Sequence, residues 1–143
     1  MFLGEFKHNL DAKSRLAIPA KFRSGLSGGA VITRGLDKCL FIFPQKEWEI
    51  LVNKLTNLPI SQSDSRAFVR LMLSGASDVI LDGQGRILVP DSLRSYAGLS
   101  KKVIVTGLYN RMEVWDEEEW ERYKSKTENA SDEIAEKLGQ LGI

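Results

Sequence analysis

The chain has 143 residues, 43% hydrophobic and 27% charged, with a formal net charge of +1. That is ordinary for a globular protein of one compact domain or two small, joined halves. No apolar run approaches the roughly 20 residues needed to cross a bilayer, and the single Cys39 excludes an internal disulfide.

The opening Met1–Lys7 has no basic segment followed by an apolar stretch, so no export signal is visible and the cytoplasm is the expected compartment. Charge is unevenly spread. Residues 1–70 carry 11 Lys and Arg against 6 Asp and Glu, whereas residues 71–143 carry 9 against 13. The basic excess gathers early, at Lys7, Lys13, Arg15, Lys21 and Arg23, and the acidic excess at Asp116 to Glu121. A dipole of this kind presents a basic face although the mean charge is near zero.

The predicted elements begin with a strand over residues 4–10. A tight turn containing Asp11 leads to Arg15 and a second strand over 15–18. Pro19, whose fixed φ suits a first helical turn, opens a short helix over 19–24. Strands over 30–35 and 39–43 follow, joined by a turn at Leu36-Asp37-Lys38. Trp48, Leu51, Val52 and Leu55 fall at helical spacing and form one apolar stripe. Asn57 to Ser63 is turn-rich, and Ala67, Phe68, Leu71 and Met72 mark a connector helix. The series then restarts with strands over 76–81 and 86–89, an Asp82-Gly83 turn between them, and a helix over 90–97. Strands over 102–107 and 111–115 follow. Asp116 and Glu119 form a capping pair before Trp120 and Tyr123. Ile134, Leu138 and Leu141 mark a tail helix.

This restart is an internal repeat. Asp11-Ala12-Lys13-Ser14-Arg15-Leu16-Ala17-Ile18-Pro19 aligns with Asp82-Gly83-Gln84-Gly85-Arg86-Ile87-Leu88-Val89-Pro90, and Phe22-Arg23-Ser24 with Leu93-Arg94-Ser95. After one inserted residue, Gly35-Leu36 aligns with Gly107-Leu108, Phe43 with Trp115, and Glu47-Trp48 with Glu119-Trp120. The chain divides into a first module (1–56), a linker and connector helix (57–75), a second module (76–127) and a tail helix (128–143). One such module buries too little surface to be stable alone. Two related by a pseudo-twofold axis cover each other's sheet edges. The expected fold is α+β, a small β-barrel of two interlocked halves flanked by helices.

The double D-x-x-x-R-x-x-x-P arrangement resembles the bacterial MraZ family, tandem-repeat members of the swapped-hairpin DNA-binding superfamily that includes AbrB and the MazE antitoxins. The resemblance covers nearly the whole chain, through Gly4-Glu5-Phe6-Lys7-His8-Asn9-Leu10-Asp11, Arg15 to Arg23, and Asp82 to Ile87. It implies two tandem swapped-hairpin AbrB-like modules. It further implies a transcriptional regulator of its own division and cell-wall gene cluster, associated with the nucleoid. Such a protein acts as a ring of subunits, expected to be an octamer, on short direct repeats of double-stranded DNA. One position departs from the pattern: Ser14 stands where the family has a glycine before the first arginine. If that turn needs positive φ, serine costs about 1 kcal/mol.

Arginine suits base reading because its planar fork makes two parallel bonds to guanine O6 and N7. Arg15 and Arg86, each set just after a tight β-hairpin, are the expected base readers. Asp11 and Asp82, four residues earlier, would organise the loops or brace the guanidinium groups. Lys13, Lys7, Lys21 and His8 would serve phosphates. A near-neutral protomer engaging few phosphates binds weakly, and linked protomers on repeated sites raise avidity by about 10²–10⁴, so a homo-oligomer is expected on physical grounds too. Phe2, Leu3, Trp48, Trp115, Trp120 and Tyr123 are candidate interface residues, with ordinary core packing as the alternative.

An enzyme is not expected, nor a cofactor, metal, membrane or small-molecule substrate. One His and one Cys cannot supply the usual zinc spacing. Gly83-Gln84-Gly85 lacks the third glycine and long helix of a dinucleotide fingerprint. No nucleophile elbow is present, and nothing in the sequence brings Asp11, Asp82 and His8 together as a catalytic set. The alternative function is a protein-interaction module resembling an AbrB- or MazE-type antitoxin, gripping through Ser125 to Ile143.

Overall fold

A computed structural model describes residues 1–143. The first repeat gives β1 (Phe2–Asn9), β2 (Arg15–Ala17), a 3-10 helix (Ala20–Leu26), β3 (Ala30–Arg34), β4 (Leu40–Pro44) and α1 (Gln45–Thr56). Helix α2 (Ser63–Ser74) connects to the second repeat, which gives β5 (Ser77–Val79), β6 (Arg86–Leu88), α3 (Asp91–Tyr96), β7 (Lys102–Tyr109), β8 (Met112–Asp116) and α4 (Glu117–Asn129). Helix α5 (Ser131–Gly139) ends the chain. No helix is long and apolar enough to cross a membrane.

The elements follow the predicted order, with small differences at their ends and in helix type. β1 begins at Phe2 because that side chain packs edge-on against Phe22, with ring centroids 5.3 Å apart. The short helix after Pro19 is a 3-10 helix. β5 stops at Val79, and Ile80 beyond it is 82% exposed.

The expected closed barrel is not what forms. Six strands make an open sheet in the order β1-β7-β8-β4-β3-β5, and β2 and β6 make a separate two-stranded ribbon. The two edge strands, β1 and β5, each leave the sheet through an Asp-containing loop and enter the ribbon. They therefore never pair with each other, as closure would require.

Strands are nonetheless exchanged between the repeats. β1 pairs along its whole length with β7, from Phe2 opposite Tyr109 to Asn9 opposite Lys102. β5 pairs with β3, β2 with β6, and β4 with β8. Most of the ladder thus runs between halves, and neither half owns a complete sheet.

The sheet separates two apolar layers. The larger holds Phe22, Leu16, Ile18, Ile32, Ile42, Ile87, Val89, Leu93 and Val105 under the ribbon, the 3-10 helix and α3. The smaller holds Phe41, Phe43, Ile104, Trp115, Leu55 and Met72 under α1, α2 and α4. Phe2 and Trp115, candidates for an oligomer interface, are core residues at 3% and 4% exposure. Trp48 and Trp120 are half-buried against the smaller layer, while Leu3 and Tyr123 remain exposed.

Candidate nucleic-acid interface

The ribbon positions the two predicted arginines. In its register Arg15 lies opposite Leu88, Leu16 opposite Ile87, and Ala17 opposite Arg86. Strand alternation sends every second side chain to the same face. Leu16 and Ile87 fill the core, fully buried. Arg15, Ala17, Arg86 and Leu88 therefore share the outer face.

Each loop before the ribbon is organised by its aspartate. Asp11 Oδ1 accepts from the backbone N–H of Lys13 and of Arg15, both at 2.9 Å. Asp11 Oδ2 accepts from Arg15 Nε at 2.7 Å. Asp82 repeats the pattern, with Gln84 and Arg86 N–H at 2.9 Å and Arg86 Nε at 2.8 Å. Such charge-assisted bonds fix the guanidinium through Nε and leave its two Nη groups without a hydrogen bond in the chain. They also act on the carboxyls. The Arg15 backbone N–H, foremost among its bonds, holds Asp11 down at about 2, against an ordinary 3.8. Asp82 is lowered for the same reason, by the Arg86 N–H.

The loops do not stand apart as two separate hairpins. The turns close locally, with Ser14 N–H on Asp11 O and Gly85 N–H on Asp82 O, both at 3.0 Å. Beyond them the ladder crosses to the other repeat. Ile18 N–H donates to Gly85 O and Val89 N–H to Ser14 O, both at 2.9 Å. Asp11 also reaches Arg86, with Nη1 at 3.7 Å from Oδ2. The outcome is one composite head in which both arginines and both aspartates converge. Arg15 keeps 34% and Arg86 25% of its side chain exposed.

The other predicted residues are placed differently from one another. Lys13 is exposed at the tip of the first loop. Lys21 lies over the Phe6 and Phe22 rings, its Nζ 5.4 and 5.8 Å from their centroids. His8 is half-buried, and burial, then the nearby Arg23 charge, lowers its pKa from the ordinary value. Lys7 is exposed and lines a shallow cleft with His8, Asn9, Lys102 and Glu117.

Three residues that sequence reasoning did not place in the site belong to it. Leu88 is 59% exposed on the arginine face. Arg94 donates from Nη1 to Ser14 Oγ at 2.8 Å, across 80 residues of sequence. Arg23 lies against the second loop, where a Cβ on Gly85 would strike its Nε and Cζ. The alignment of Arg23 with Arg94 was the available signal: a polar residue that recurs in register with the loops is a candidate to serve them.

Ser14 takes φ of 59° and Gly85 takes 74°. The first loop therefore does adopt the left-handed conformation that serine resists, and it does so with the serine hydroxyl bonded.

Comparison with known proteins places this geometry in a family. The model for MraZ proteins, described as antitoxin-like, matches twice, over residues 1–71 and 72–141. Over 143 residues, covering all of both chains, the protein is 50% identical to a relative from Natranaerobius thermophilus. It is also 50% identical, with full coverage of both chains, to one from Halothermothrix orenii. A third relative, from Desulforamulus reducens, is 48% identical over 99% of each chain. All three carry the name transcriptional regulator MraZ.

Proposed function

The chain belongs to the MraZ family, and from that premise we propose that it is a transcriptional regulator that binds double-stranded DNA sequence-specifically through the composite head. One observation carries this reading. Two arginines from different repeats share one outer face of the ribbon, each held through Nε by its own aspartate. A guanidinium fixed at Nε offers its Nη edge to a base without free rotamers to blunt selection, and a bidentate contact to guanine discriminates by about 1–3 kcal/mol. Leu88, opposite Arg15 on the same face, suits a thymine methyl group. Lys13 at the loop tip, with Lys21, Lys7 and His8, would take phosphates. A narrow ribbon of two strands fits a major groove.

The target on this reading is a set of short direct repeats near the protein's own promoter, bound by a homo-oligomeric ring, with an octamer as the expected size. Few phosphates per protomer make linked protomers the means of useful affinity.

The test is Arg15→Ala, titrated on a duplex selected by the wild-type protein. Affinity should fall about tenfold or more with the circular dichroism spectrum unchanged. Undiminished binding would remove the role assigned to the head.

A second reading has its own support. Helix α5 has no buried residue, and Ile134, Leu138, Leu141 and Ile143 are exposed along it and just beyond. With the antitoxin-like description of the family, this favours a protein-gripping arm. Removing residues 125–143 should then abolish capture of a partner protein while DNA binding persists.

A further inference from the structure

We propose that Arg94 and Arg23 are positioning residues that lock the reading loop of the opposite repeat, and that Ser14 and Gly85 make the two locks chemically different. The inference rests on the DNA-binding reading above and assigns the specificity of that same site.

The crossing is reciprocal. Arg94, in the second repeat, bonds Ser14 in the first loop. Arg23, in the first repeat, fills the space beside Gly85 in the second loop and is anchored by its Nε on Ile18 O at 2.9 Å. Ile18 in turn gives its N–H to Gly85 O. Each left-handed residue is thus held by a backbone amide and an arginine of the other half, one position before the base-reading arginine.

The two locks differ in kind. At Ser14 a hydroxyl, 7% exposed in its residue, accepts a hydrogen bond. At Gly85 there is no room for a side chain while Arg23 is in place, and the lock is packing. A serine at 85 would displace Arg23. A glycine at 14 would keep the backbone turn but lose the bond. The loops are therefore inequivalent, and the half-sites they read should be unlike.

A hydrogen bond to Ser14 aims Arg15 without itself touching DNA, and this distinguishes Arg94 from a phosphate contact. Losing a phosphate contact lowers the slope of log affinity against log salt by about 0.9. Losing a positioning bond leaves that slope alone and lowers the preference for the selected sequence.

The experiment uses wild type, Arg94→Ala, Ser14→Gly and the double variant. Each is titrated over a salt series on a duplex selected by the wild type from a random pool and on its scrambled counterpart. Each single variant should lose about tenfold in preference with the salt slope unchanged. The double should lose no more than Arg94→Ala alone, because that variant already removes the bond that Ser14→Gly removes, together with the Nε contact to Leu99 O at 3.5 Å. Amide exchange supplies a readout without DNA. Arg94→Ala should speed exchange at Lys13 to Arg15 about tenfold and leave Gln84 to Arg86 unmoved. Arg23→Ala should do the reverse.

A salt slope reduced by about one in Arg94→Ala would make it a phosphate ligand and overturn the proposal. So would additive losses in the double variant, or exchange quickened equally in both loops. If the wild type prefers no duplex at all, the DNA reading fails and the specificity role with it. Crossed exchange would then still mark the lock as a structural device.

Discussion

Asp11 carries more of the head than any other single residue. It caps two backbone amides, fixes Arg15 and faces Arg86. Because those bonds favour its charged form, its pKa stands at about 2 rather than 3.8. A depressed carboxyl contributes its stabilisation above the unfolded value and loses it as pH falls through the folded one. The first loop should therefore stay ordered through mild acid and loosen only between about pH 4 and pH 2. The Asp11 carboxyl resonance in an NMR titration should show its midpoint near 2. A midpoint at 3.8 would mean that the carboxylate is free and the arginine unbraced. The Asp-to-Arg contact was legible in the sequence because four residues across a tight turn bring the two groups together without help from the rest of the fold. The Arg94–Ser14 bond was not, since no local rule joins residues 80 apart.

At the scale of elements, β1 and β7 show how closely two strands can be required to approach. Gly4 faces Gly107 in their register. A Cβ on Gly107 would come within 2.6 Å of Leu3 N and of Phe2 C, atoms of the β1 backbone that cannot swing aside as a side chain would. Gly107→Ala should cost about 1–3 kcal/mol, the usual penalty of overpacking, read as a lower urea midpoint at constant m-value. A shift equivalent to a few tenths would show that β1 gives way without loss. Most strands and helices were visible in advance from apolar spacing and turn residues, which act over a few positions. Pairing partners were not. The alternation within β2 says which side chains are buried, but not that β6 of the other repeat lies beside it.

For the whole molecule, the exchange of strands sets stability. β1, β2 and β5 each find their main ladder partner in the opposite repeat. Residues 1–71 expressed alone should show no cooperative unfolding as a monomer. Whatever structure forms should come from two copies replacing the missing half, so that Tm rises over an about hundredfold increase in concentration. A sharp transition independent of concentration would show that one repeat folds by itself. The sequence alone determined the duplication, the order of elements, the loop chemistry and the resemblance to one family, because each is written in short-range spacing and in the comparison of one stretch with another. Only the tertiary structure decided that the sheet stays open, that two expected hairpins merge into one head, and that each repeat's arginine guards the other's loop. Those outcomes depend on which distant surfaces meet, and burial and hydrogen bonding settle that only once both halves are folded together.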